Sequence, residues 1–321
     1  MSNSSVDTRA LVEGGILSGL TVLLTLLAIY IPLLWLVVQL IQALPVMILT
    51  VRHGIKPGLI ASVVTAILIF MLGNPLAALS LFSVAPAVLV MGWGIKEGKK
   101  AAGCIALGTF SGFLAKLAVI ALSIKVLKIN FLLEFEEQMK AGVATALEFY
   151  KASGIDEAKL QELVHSSEQL LPVLLIMIPA FLVVIAAAEA FLNFWLTAAL
   201  LRRLGQGIEE GLPPLKYWDL PKTFIYGWML SLASYWAGAY YFGGQALTYK
   251  FGANCFMLFS SLLFLQGFAV LSFFLVKHNV PRLLRILIGI VVLFVPLLNL
   301  IMLYIGGFDM YANFRKLPRK E

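Results

Sequence analysis

The sequence predicts an all-α fold, a polytopic transmembrane helical bundle of 8–9 spans. Three observations carry that expectation. Of 321 residues, 61% are hydrophobic and 13% charged, whereas a soluble domain carries about a quarter charged residues. Apolar runs of about twenty residues, the length that crosses a bilayer as a helix, recur from end to end. Turn-forming residues punctuate these runs: Pro32, Gly54 and Pro57, Gly73-Asn74-Pro75, and the GLPPLKYWDLP segment. No hydrophilic stretch is long enough for a separate soluble domain, so residues 1–321 read as a single membrane domain.

Taken in order, the expected spans are 10–31, 33–51, 57–72, 75–95, 101–127, 171–201, 223–243, 251–276 and 284–306. The opening MSNSSVDTRALVEGG carries one Arg and leads to no small-residue cleavage site, so the first helix is expected to stay. The net charge of +7 is distributed over helix ends rather than clustered, which argues for membrane topology and against nucleic acid as a partner. With the N-terminus inside, the cytoplasmic turns hold Arg52 and Lys56, then Lys96, Lys99 and Lys100, then Arg202, Arg203, Lys216 and Lys222, and later Lys277, Arg282 and Arg285. That pattern sets the orientation, with the N-terminus on the cytoplasmic side. A ninth span would place Arg315, Lys316, Arg319 and Lys320 outside; alternatively residues 284–306 fold back at Pro296 and the tail is internal, which is the preferred reading.

Residues 129–170 differ from the rest. FLLEFEEQMKAGVATALEFY places Phe131, Phe135, Met139, Val143, Leu147 and Tyr150 on or near one helical face, opposite Glu136, Glu137, Lys140 and Lys151. Ser153-Gly154 breaks this helix and Asp156 is placed to cap a second one. The expectation is an amphipathic helical hairpin on the outer membrane surface, either an interfacial spacer or a lid over an outward-open cavity.

Two ionisable residues fall inside apolar runs. Glu189, in AAAEAFLNFW, is about 18 Å from the cytoplasmic end of its span at 1.5 Å per residue, and Lys116 is about 22 Å from that of the preceding one. Comparable depth on successive helices predicts an ion pair facing the bundle interior, with Asn193 one turn along on the same face. The pair either fixes packing alone or forms the polar floor of a small-solute site. In the first helix Ala10, Gly14 and Ser18 recur every four positions, with Gly15 and Gly19 on the adjoining stripe. Such a face serves close packing within the chain or docking on a partner membrane subunit.

Other chemistry finds no support. His53, His165 and His278 are scattered, no HExxH or GxSxG context occurs, and Cys104 and Cys255 lack metal-like spacing. Neither an enzyme nor a cofactor or metal protein is expected.

Two stretches carry a family resemblance: KYWDLPKTFIYGW, with Trp218, Leu220 and Pro221, and GGFDMYANFRK, with Gly307, Asp309, Phe314 and Arg315. With the helix count they resemble the YybS-like family of bacterial multipass membrane proteins over most of the chain, which implies a bacterial cytoplasmic (inner) membrane as the location. More distantly, residues 1–201 resemble the S components of energy-coupling factor (ECF) transporters, six-helix bundles that bind vitamins and dock through a small-residue first helix on a subunit driven by ATPases. That resemblance implies an S-component-like core, with residues 202–321 adding spans and a basic tail. It also implies a small solute and a membrane partner with ATPases, although no vitamin-binding motif is recognisable. A non-transporting scaffold or regulator of envelope proteins is the alternative.

Overall fold

The computed structural model describes residues 8–31, 35–73, 75–126, 128–206, 211–242 and 246–317. Among them every regular element is helical: α1 (Thr8–Tyr30), α2 (Trp35–Ile41), α3 (Leu44–His53), α4 (Ile55–Leu72), α5 (Pro75–Lys96), α6 (Ala101–Lys125), α7 (Phe131–Ala152), α8 (Glu157–Ile176), α9 (Ile178–Arg203), α10 (Thr223–Ala237), α11 (Leu247–Lys277), α12 (Arg282–Phe294) and α13 (Pro296–Ala312). Six of these, α1, α4, α5, α6, α9 and α11, are long and apolar enough to cross a membrane. The pair α12–α13, bent by 101°, brings the number to seven if it forms one broken span.

The difference from the eight or nine expected spans has local causes. The 33–51 run is divided at Gln42-Ala43 into α2 and α3, and Pro45 opens α3, where a missing N–H costs nothing. The 223–243 run is helical through Ala237 and then widens into a π-helical turn, Gly238–Phe242. The last run breaks at Val295, whose extended backbone precedes Pro296.

The chain packs as two compact units: Met1–Glu134 with Leu182–Leu212, and Phe135–Phe181 with Pro213–Glu321. The sequence places the internal division at residue 201, with the 129–170 segment in the first part; residues 135–181 group instead with the C-terminal helices.

In the first unit, α5 and α6 pack along their length and α3 is buried through Val46, Met47, Leu49 and Thr50. Small residues set the approach of neighbouring helices, as expected where lipid leaves little hydrophobic drive between them. A Cβ on Gly92 would lie 2.7 Å from Thr50 Cβ, and one on Gly58 would collide with the Thr50 side chain. The Thr50 hydroxyl is satisfied within its own helix, donating to Val46 O at 2.8 Å.

In the second unit, α11 is the central helix. Against it α10 runs antiparallel, because Gly227 meets Phe259 while Gly238 meets Tyr249. On another face α13 also runs antiparallel, with Gly267 closed against the Met302 backbone and Gly306 against the Leu263 backbone. Asn254 of α11 repairs the break between α8 and α9: its amide oxygen accepts from Ala180 N at 2.9 Å and its nitrogen donates to Ile176 O at 2.8 Å.

Helices α7 and α8 are the amphipathic pair expected at 129–170, with α8 extending further, to Ile176, and Pro172 held inside it. Gly154, at φ +78°, makes the reversal between them. Asp156 occupies the N-cap position of α8, but its side chain makes no cap hydrogen bond, so its contribution is the favourable charge at a helix N-terminus. No described residue of α7 is buried, and Leu160 is the one buried in α8.

Candidate functional site

Lys116 and Glu189 meet. The buried face of α6 carries Cys104, Gly108, Gly112 and Lys116 at four-residue intervals. A Cβ on Gly108 would meet Met91 of α5, and one on Gly112 would lie 3.3 Å from Ala87 of α5 and 3.7 Å from Ala186 of α9. The small residues therefore bring three helices together one turn below Lys116. Its ammonium donates to Glu189 Oε2 at 2.6 Å and reaches Ser83 O at 3.5 Å. Both residues are buried, at 8% and 5% exposure. Asn193 lies on the same face and is buried, and its amide donates to the Glu189 backbone carbonyl at 2.9 Å. It braces the α9 backbone beneath the pair.

The small face of α1 divides into two parts. Ser18 is buried with its hydroxyl 3.5 Å from Ala61 O, and a Cβ on Gly14 would lie 3.6 Å from Leu49. Ala10 is half-buried on the same stripe. This stripe is used for packing within the first unit, on α3 and α4, so as a docking face it is already occupied. Gly15 and Gly19 face outward, with open space where a Cβ would be.

The two family motifs converge in the second unit. Asn313, left-handed at φ +46°, ends α13, and its side chain exchanges hydrogen bonds with Leu317, so the chain turns back on itself. That turn carries Arg315 inward until its side chain is wholly buried. Its Nε and Nη2 donate to Asp309 Oδ2 at 3.1 and 2.9 Å, and Nη2 also reaches Asp219 Oδ1 at 3.4 Å. Its Nη1 donates to the carbonyls of Lys216 and Trp218 at 2.9 and 2.7 Å. Gln266 of α11 joins both carboxylates, donating to Asp219 at 3.1 Å and Asp309 at 2.9 Å, while accepting from Leu220 N at 3.1 Å. Trp218 donates its indole N–H to Pro213 O at 2.8 Å, and the Pro221 carbonyl accepts from Phe224 N at 3.1 Å in the turn that enters α10.

Every donor group of a buried guanidinium is thus engaged, the condition under which burying it is tolerated. The motifs contain Asp309, Arg315, Trp218 and Pro221 but nothing in their spacing joins them, and Asp219 and Gln266 do not stand out as site residues in the sequence. Gln266 carried a readable signal, a lone amide in the run SSLLFLQGFAVLSFF. The contact of Arg315 with residues 216–219 also puts the start of the basic tail beside the loop before α10. Among the described residues no group of three or more His, Cys, Asp or Glu is placed to hold a metal ion.

Residues 19–310 match the family described as "Predicted membrane protein (DUF2232)". The chain is 25% identical over 309 residues to a Bacillus subtilis (strain 168) protein described as "Uncharacterized protein YybS", covering 96% of this chain and 98% of that one. No solved structure matches. A match over most of the length, in a chain with six membrane-length apolar helices, makes this an integral membrane protein, and the chain belongs to the DUF2232 family.

Proposed function

We propose that the protein is a transport-related component of a bacterial cytoplasmic membrane, with its N-terminus inside, in which the Lys116–Glu189 pair forms the polar floor of a small-solute path. The observation that carries this reading is the pair itself, at 2.6 Å between two apolar helices. Intramembrane ions are costly enough that they are usually retained where a pathway, a relay or a ligand uses them. A contact this short has a simple switch chemistry. Transfer of one proton from the ammonium to the carboxylate leaves a neutral amine and a neutral acid, and a solute with its own charge can exchange for either partner. The alternating-access step would draw on a partner membrane subunit with ATPases or on a coupling ion. The outward stripe of Gly15 and Gly19 is the part of α1 open to such a partner.

The alternative is a scaffold or regulator of envelope proteins. The inward use of Ala10, Gly14 and Ser18, together with the fully satisfied Arg315 network, favours it, since both are structural arrangements. Replacing Lys116 by Leu and Glu189 by Met together separates the two readings. Thermal unfolding of the purified protein is followed against pools of small metabolites, alongside uptake into proteoliposomes reconstituted with the co-purified ATPase subunits. A double variant that unfolds like the parent but loses metabolite protection and uptake supports the transport reading. Protection and uptake unchanged by the double substitution, or absent from the parent, would assign the pair to structure alone.

A further inference from the structure

We infer that the wedge between α11 and α12 is a binding site for one anionic phospholipid. The reasoning starts from charge. Between Asp219 and Asp309 the sequence contains no acidic residue, yet it carries Lys277, Arg282 and Arg285 within KHNVPRLLR. Among the described residues neither Arg282 nor Arg285 has a carboxylate partner, and Asp219 and Asp309 are committed to Arg315 and Gln266. Arg285 Nε is buried with no hydrogen-bond partner, an uncompensated donor whose burial is unfavourable unless a ligand completes it.

The shape of the site fits that missing partner. Helix α12 turns 101° from α13, and α13 runs antiparallel to α11, so α12 lies nearly across α11. Between them is a cavity of about 410 Å³. Arg282, Arg285 and Ser272 line it together with Phe268, Ile290 and Leu293. Gly289 keeps it open, since a Cβ there would already lie 3.2 Å from the Phe268 ring. From Arg285 to Leu293 the wall is about 12 Å long at 1.5 Å per residue, and it is apolar. Two guanidinium groups with a hydroxyl match a phosphodiester headgroup, bidentate where the fork allows. The apolar wall matches the first half of an acyl chain. A basic recess between membrane helices with apolar walls is a known form of headgroup site.

The test uses the full-length protein in detergent micelles and native mass spectrometry, with dioleoyl phosphatidylglycerol as the probe and dioleoyl phosphatidylcholine as its neutral counterpart. The wild type is expected to retain one phosphatidylglycerol in preference to phosphatidylcholine, with retention weakening as salt is raised. R282Q/R285Q should lower the phosphatidylglycerol affinity by about thirtyfold, from the loss of two surface-membrane cations. G289L, which fills the recess and keeps both arginines, should lower it as well. Equal retention of the two lipids by the wild type, which requires no variant to fold, would overturn the assignment. So would unchanged binding in R282Q/R285Q, or full displacement by millimolar glycerol 3-phosphate, which would mark a site for the free phosphate alone.

Discussion

Among the described residues, Lys116, Glu189, Asp309 and Arg315 are the buried charged groups whose partners decide how this chain tolerates them. For Lys116–Glu189 the two charges neutralise each other where water is scarce, so losing one leaves the other without compensation. Lys116→Leu or Glu189→Met alone is expected to cost about 3–5 kcal/mol, and both together much less. Thermal and denaturant unfolding of the three variants in one detergent checks this. Arg315 differs because its guanidinium holds two carboxylates and two carbonyls at once. Arg315→Lys keeps the charge but lacks the planar fork, so it should lose a large part of the stability lost by Arg315→Leu. Protease susceptibility of residues 211–222 and of the tail reports it directly. Of these residues, Lys116 and Glu189 were legible as a pair because depth along a helix follows from a fixed rise per residue. Arg315 was legible only as a motif member, because, apart from Asp309 six positions back, its partners lie across 96–99 positions of chain and no local spacing links them.

Among the elements, α13 shows why glycine rather than apolar bulk decides helix contact here. Gly267 and Gly306 bring backbone against backbone at the α11–α13 crossing, where any side chain would displace a peptide group rather than a flexible tip. Gly306→Leu should therefore separate α13 from α11 and release Asp309 from Gln266. The expected reading is a fall in melting temperature with the helical circular dichroism retained, while Gly15→Leu on the outward face of α1 leaves melting unchanged. The outer boundaries of α4, α5, α6 and α11 were readable from apolar run length and from Gly or Pro punctuation. The interruption at Gln42-Ala43 and the bend at Val295 were less so. Hydropathy reports length in lipid and does not report direction, so a run broken into two helices looks the same as one straight span. Pro296 gave the one sequence clue to the bend.

At the scale of the molecule, the chain forms two compact units, and residues 135–181 belong with the C-terminal one although they interrupt the first in sequence. Composition could not reveal that grouping, because α7 and α8 bury almost nothing and their association depends on contacts such as Asn254 with Ile176 and Ala180. One topological consequence follows from the Arg315 network: the loop at 216–219 and the start of the tail share a side of the membrane. Single cysteines replacing Lys216 and Lys316, in a background with Cys104 and Cys255 changed to serine, should react with an impermeant maleimide from the same face of oriented vesicles. Labelling from opposite faces would contradict that arrangement.

The most direct measurement is a double-mutant cycle on Lys116 and Glu189, using Lys116→Leu, Glu189→Met and their combination, with unfolding free energies measured in one lipid-like environment. A coupling of more than about 3 kcal/mol, with the combined variant more stable than either single one, is the predicted result. Additive losses within about 0.5 kcal/mol would contradict it, showing that the two charges do not rely on each other inside the bundle.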